Sequence, residues 1–472
     1  MDKKFISLLY LIISNVLVLL IGIVSAFIVP RFITIDEFGY WQLFLLYSSY
    51  VGLMLFGYCD GIYLIHGGRE KKKLDKRDFS SYFLILVVYS IAISILALII
   101  VSIIDITTEY KILLNGIISI FLLQGINSYF ILINQATGKF KLYSILNLLE
   151  KLLLAIFIIV MIIFDNINYN YLVSFAIVSK VIILFINIIT SKEIVFNKPS
   201  FSKRIVNEVL TFIQIGLPLT LYGVVSMLMT GVGKLSVERN FDIGTFGIYA
   251  FAFSSMAIIV QIIISISLVL YPFLANTSDV NIRKVVKTAE QYSLTILVIV
   301  FASFYALYLI IIKFLPNYND SIKILVILFP MLLFQAKISS VYGVALKVKK
   351  KTKVMLGNAI LVLIMLVVAA ILGTILNLKS EYFACITVFG YFLWYIFNMR
   401  SYNIIYNDKV RINIMELVFI IVFFATNLLY LHIVSLIIFS LISLLFVIRL
   451  IKANTLFISE KLKGFFIKTR DS

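Results

Sequence analysis

The chain has 472 residues, of which 62% are hydrophobic and only 14% charged, and its formal net charge is +18. An ordinary soluble domain carries about 25% charged residues, so a water-soluble globule is excluded and the surplus apolar surface must face lipid. The Lys and Arg lie in short loops between apolar runs, not on a folded basic domain; this pattern argues against nucleic acid as a partner and points to anionic lipid headgroups.

The apolar runs are continuous and do not alternate with period two, which favours helices over a β-barrel. Each approaches the roughly 20 residues that cross a hydrocarbon core of about 30 Å. The sequence predicts an all-α integral membrane protein with about 14 transmembrane helices, at 5–29, 40–66, 80–104, 112–134, 142–164, 170–190, 209–231, 245–271, 290–313, 322–345, 354–376, 381–402, 414–430 and 432–450. The first follows Lys3 and Lys4 and lacks a small-residue cleavage signal, so it reads as a helix and not as a removed signal peptide. The last two form a tight apolar pair, or one bent segment. Cys59 and Cys385 each fall inside a predicted span and suggest neither a disulfide nor a metal site.

The basic residues test this map. With the N-terminus in the cytoplasm, inside segments collect 31 Lys and Arg against 7 outside. That asymmetry follows the positive-inside rule and requires an even number of spans, with both termini cytoplasmic. Three lysines remain within spans: Lys151, Lys180 and Lys337.

The longest connection, near 191–208, carries Pro199 and four basic residues and reads as a cytoplasmic linker. Its two sides echo each other. Phe38-Gly39-Tyr40 opens the second helix, and Phe246-Gly247-Ile248-Tyr249 opens the eighth at an offset of 208. The same offset carries Lys139 and Lys141 onto Lys347 and Lys349. The expected organisation is therefore two pseudo-symmetric six-helix lobes, 1–190 and 209–402. They are joined by the linker and followed by accessory helices within 403–450 and a basic tail at 451–472. An even span count per lobe gives both the same orientation, with a pseudo-two-fold axis along the membrane normal.

Ionisable groups inside a bilayer cost roughly 2.5–3.5 kcal/mol each on insertion scales and usually face a cavity. The candidates are Asp60 in helix two, Glu150 and Lys151 in helix five, Lys180 in helix six and Lys337 in helix ten, with Arg31 and Lys234 at helix ends. A wet, anion-binding cavity explains Lys180 and Lys337, and so does a buried ion pair, for example with Glu150. Glu150 and Lys151 could serve only to neutralise neighbouring helices. Asp60 could sit at headgroup depth, and Arg31 and Lys234 could snorkel to the interface. Gln124, Asn127, Asn134, Gln214, Gln261 and Gln335 suit either a sugar passage or interhelical hydrogen bonds. Gly216 and Pro218 should kink helix seven and suit a hinge, because proline removes a backbone hydrogen bond; Pro330 in helix ten is a similar case. Walker A, His-rich metal and Ser-His-Asp arrangements are all missing from the sequence, so transport is favoured over catalysis.

Several stretches resemble a known family. Val29-Pro30-Arg31-Phe32 with Asp36-Glu37-Phe38-Gly39, then Gln214-Ile215-Gly216-Leu217-Pro218-Leu219, then Lys234-Leu235 ahead of Phe246-Gly247-Ile248-Tyr249, look like bacterial Wzx-type O-antigen and polysaccharide flippases. That family shares a superfamily with the MATE exporters and the lipid II flippase MurJ. Many members carry an acid before the basic position, where this chain has Gly233. The resemblance implies a non-enzymatic flippase of the bacterial cytoplasmic membrane, moving an undecaprenyl-diphosphate-linked oligosaccharide between two rocking lobes. It implies Lys151, Lys180, Lys337, Lys234, Arg31, Gln124 and Gln261 as substrate contacts. It also implies Asp60 and Glu150 as proton or Na⁺ coupling groups, or as partners of the lysines. Neither a metal nor an organic cofactor is implied. A polymerase and a chain-length regulator of the same pathway are candidate partners. The rival readings are a cation-coupled exporter of small amphipathic cations, which would need an acidic cavity, and a membrane polymerase or glycosyltransferase, which would need a larger outer loop.

Overall fold

The computed structural model describes residues 17, 21–22, 25–68, 74–165, 167–200, 202–275, 277–429, 434–442 and 444. Most of the predicted first helix, about half of the predicted last one, the basic segment 69–73 and the basic tail lie outside the described residues.

All regular elements among the described residues are helical. They are labelled α1 (Ile35–Tyr50), α2 (Tyr58–His66), α3 (Lys76–Ile103), α4 (Thr108–Ala136), α5 (Phe140–Ile163), α6 (Tyr169–Thr190) and α7 (Lys203–Asn240). After these come α8 (Ile243–Ala275), α9 (Asp279–Phe314), an interrupted α10 within 321–348, α11 (Thr352–Ile375), α12 (Ser380–Tyr406) and α13 (Ile414–Leu428). Nine described helices are long and apolar enough to cross a membrane, or up to eleven if each bent pair counts as one span. The protein is a multi-pass membrane protein.

Two compact units divide the chain. Unit 1 comprises residues 1–265 and 356–387; unit 2 comprises 266–355 and 388–472. This division does not fall at the 191–208 linker. The linker itself holds a short helix, Lys192–Val195, and the first turn of α7.

Local chemistry explains the helix ends. Thr34 caps α1 in a capping box with Glu37, which satisfies two otherwise orphaned donors. Asp75 caps α3, Asn168 caps α6 and Ser202 caps α7. The interiors are aliphatic and aromatic. On α3, Ile91, Ile95, Leu96, Ile99 and Ile103 are exposed, a stripe suited to lipid. Ser81, Leu86 and Ser90 on the same helix are buried. Small buried residues let helix backbones approach, which drives association where lipid removes the hydrophobic contrast.

Helix two and helix ten depart from the predicted continuous helix. Helix two breaks between α1 with its 3-10 extension and α2, bending by 61°. Phe56 and Gly57 both have positive φ there. Gly57 is needed for space as well, since a Cβ on it would lie 2.3 Å from the Leu217 backbone nitrogen. Helix ten is divided into Ser321–Leu328 and Met331–Ala336, then a π turn at Lys337–Tyr342, then Gly343–Val348. Pro330 lies at the first break, where it cannot donate a backbone hydrogen bond. Helix α7, in contrast, continues unbroken through Pro218.

Candidate substrate site

In unit 1, α1, α4, α5 and α6 surround a cavity of about 370 Å³. Its polar lining includes Gln124 and Ser128 from α4, Glu150 and Lys151 from α5, and Ser179 and Lys180 from α6. Lys180 is the hub: its Nζ donates to Gln124 Oε1 at 2.5 Å and to Glu150 Oε1 at 3.0 Å. Lys151 Nζ stands 3.6 Å from the same Glu150 oxygen. Backbone placement comes from Asn127, whose amide donates to Lys180 O at 3.2 Å and accepts from Asn187 at 2.9 Å. Trp41 and Phe44 of α1 stack at 5.5 Å and close the apolar side.

Two ammonium groups face one carboxylate here, so the wall carries a surplus positive charge. Glu150 and Lys180 side chains are each 16% exposed, whereas Lys151 is 43% exposed. A charge pair this shielded is stronger than a surface pair, and its partly open cation keeps capacity for an incoming anion. Ser48 Oγ also lines the cavity, buried and with no hydrogen-bond partner among the described residues.

The remaining sequence candidates lie elsewhere. Lys337 is in unit 2, 2% exposed, held by Glu290 at 2.6 Å and by both oxygens of Glu416 at 2.9 Å. Asp60, on α2, accepts from Thr220 Oγ1 of α7 at 2.6 Å. Lys234 Nζ sits 4.7 Å from the centroid of the Phe253 ring. Arg31 is exposed on the short helix Val29–Phe32. Gln261 is half-buried on α8. Gly216 is a packing point, because a Cβ there would lie 1.9 Å from Gly57 O. Cys59 and Cys385 are free thiols.

Glu290, Glu416 and Glu238 escaped the sequence reading. Glu416 and Glu238 lie near helix ends, and Glu290 opens the predicted span 290–313 although α9 itself begins at Asp279; at the edge of a span an acid normally reads as headgroup-facing. Glu238 accepts from Tyr47 and Tyr110 hydroxyls, both at 3.3 Å. In the loops, the Thr245 N–H and hydroxyl, at 2.8 and 2.7 Å, hold the Asp242 carboxyl below the ordinary carboxylate range. Burial pushes Asp408 up, but the Lys409 N–H and the Lys287 ammonium at 3.1 Å outweigh it and leave it lowered.

A family model described as polysaccharide biosynthesis protein matches residues 28–323. The chain belongs to that family. No curated protein matches the chain in sequence. A solved structure of lipid II flippase MurJ, in an inward closed conformation, is similar with a TM-score of 0.68 at 16% identity, covering 95% of this chain and 99% of that one. A MATE multidrug resistance transporter of the MOP superfamily, inward-facing, gives 0.61 at 14% identity, covering 84% and 94%. An outward-facing structure of a MATE multidrug resistance transporter gives 0.53 at 14% identity, covering 85% and 95%. The chain thus has the fold seen in a flippase and in multidrug transporters.

Proposed function

We propose that the protein flips a polyprenyl-diphosphate-linked oligosaccharide, an O-antigen, capsule or related repeat unit, across the bacterial cytoplasmic membrane. The observation that carries this reading is the cavity in which Lys180 and Lys151 outnumber Glu150. A diphosphate cannot cross hydrocarbon unaided, and charged groups in a bilayer usually mark a substrate path. Surplus ammonium lowers that barrier, while Gln124, Ser128 and Ser179 offer hydrogen bonds to phosphate or sugar hydroxyls. The lipid tail stays in the bilayer. The expected motion is rocking of the 1–190 and 209–402 lobes with both termini in the cytoplasm. A cationic substrate is disfavoured by the same charge surplus. Lys337, closed between two glutamates, has no free donor direction toward a ligand in this arrangement, so the assignment narrows to Lys180, Lys151 and Gln124.

The test is Lys180→Ala combined with Lys151→Ala, expressed in place of the native chain. Surface glycan should disappear and its lipid-linked precursor should accumulate, with the protein still present in the membrane. Normal surface glycan in that double variant would overturn the site.

A further inference from the structure

We propose that Glu290, Lys337 and Glu416 form a proton-binding site in unit 2, holding one exchangeable proton beside the Lys337 ammonium.

Charge counting carries the argument. Lys337 Nζ contacts Glu290 Oε2 at 2.6 Å and both Glu416 oxygens at 2.9 Å. Lys337 and Glu416 are each 2% exposed, and the Glu290 side chain is 12% exposed. Two carboxylates around one ammonium leave a net negative charge in apolar surroundings. An uncompensated buried charge costs several kcal/mol, and one bound proton removes it. The proton then belongs to the pair and not to either carboxyl alone.

Among the described residues no second cation contacts the two carboxyls. From α9 come Glu290 and Ser293, whose hydroxyl donates to Glu416 Oε1. The π turn brings Lys337 and Tyr342, and the Tyr342 hydroxyl donates to Glu290 Oε1 at 2.7 Å. Helix α12 contributes Tyr395, whose ring centroid is 4.9 Å from Lys337 Nζ. Helix α13 contributes Glu416. The nearby basic groups of α9 are engaged elsewhere: Lys287 pairs with Asp408, and Arg283 donates to Tyr406 O.

Two further observations point to an exchangeable ligand and not merely a structural clasp. The Tyr395 hydroxyl is buried with no hydrogen-bond partner among the described residues, on the ring that faces Nζ. It is a spare donor and acceptor for a proton carrier such as water. The π turn begins at Lys337, and such turns often mark functional positions in helices. Glu290, the most exposed of the three, gives the proton its way in and out. On binding, the proton forms a carboxyl O–H bond; on release, it passes to water and leaves a carboxylate.

The test uses the purified full-length protein in detergent, with no glycan, so its failure leaves the Lys180 assignment untouched. Infrared difference spectra across the neutral pH range should show a protonated-carboxyl band, absent from Glu290→Gln with Glu416→Gln. Thermal unfolding should show Glu416→Gln and Glu290→Gln each near wild-type stability at neutral pH, because a neutral amide imitates the protonated state. Each should also lose a one-proton pH dependence, a tenfold change in the unfolding constant per pH unit. Lys337→Met, which leaves two carboxyls and no cation, should be clearly less stable. A wild-type spectrum without that band, or single glutamine variants as unstable as Lys337→Met, would overturn the proposal. Should one glutamine variant fail to fold, the wild-type spectrum and the other variant still decide it.

Discussion

Gly39 and Gly247, 208 residues apart in the sequence, pack through reciprocal contacts. A Cβ on Gly39 would lie 2.4 Å from Ile243 O, and one on Gly247 would lie 2.6 Å from Ile35 O. Ile35 and Ile243 are themselves separated by 208, so each helix start meets the other by the same rule. The caps repeat too: Thr34 receives the Glu37 N–H and Asp242 receives the Thr245 N–H. This is how an approximate two-fold axis between α1 and α8 would appear in local contacts.

The pairing makes a quantitative prediction. Gly39→Ala and Gly247→Ala each force a methyl against backbone oxygen, which cannot swing away as a side chain can. Overpacking of this kind costs about 1–3 kcal/mol. The two variants should lower the unfolding midpoint by similar amounts, measured by thermal denaturation in detergent. A large loss for one and none for the other would refute the reciprocal contact.

Glu150 separates binding from coupling. Glu150→Gln keeps an acceptor near Lys180 but removes the countercharge, so the cavity becomes more positive. Stability should fall by about 1–3 kcal/mol, the range for weakening a shielded polar contact, while glycan export continues. A stable Glu150→Gln protein with no export would move Glu150 from partner of Lys180 to coupling group. Surface glycan and membrane abundance, measured together, distinguish the two.

Much of this fold was legible because transmembrane sequence obeys few rules. Run length and basic loops placed α3 to α9 and α11 to α13 within a few residues, apart from the extra turns at the ends of α7 and α9. The 61° bend at Phe56-Gly57 was not legible, since its neighbours are as apolar as a straight span. Lys180 and Glu150 were both visible as charges inside spans, and their pairing was one of two open readings. Lys337 stood out for the same reason. Its partners did not, because Glu290 and Glu416 lie at the edges of the apolar runs, where position along the sequence cannot tell headgroup from interior; α9 in fact starts three turns before Glu290. Only the packing of α9, the π turn and α13 turns them inward.

Asp242 should give the protein an acid-sensitive element. Its carboxylate accepts from the Thr245 N–H and hydroxyl and is held below the ordinary range. A carboxyl lowered in the folded state contributes stability that is present above its unfolded value. That contribution is lost as pH falls through the lower folded value. Asp242→Ala should cost about 1 kcal/mol at neutral pH, as for other helix caps. Asp242→Asn should retain most of the cap and lose only the acid limb of the stability profile. An unchanged acid limb in the asparagine variant would show that Asp242 contributes nothing to it.

Gly216 and Pro218 lie two residues apart on α7 and should behave in opposite ways. Gly216→Ala would place a Cβ 1.9 Å from Gly57 O and 2.5 Å from the Gly61 nitrogen. That close crossing of α7 over α2 sits one turn from the Asp60–Thr220 hydrogen bond, so the variant should unfold at clearly lower temperature. Pro218 instead interrupts the hydrogen-bond ladder of a helix that otherwise runs from Lys203 to Asn240. Proline in a helix interior costs about 3 kcal/mol relative to alanine, so Pro218→Ala should raise the unfolding temperature. If the weakened ladder acts as a hinge, the stiffer α7 should also slow glycan export. A Pro218→Ala protein with raised stability and unchanged export rate would remove the hinge and leave Pro218 with no part in the motion.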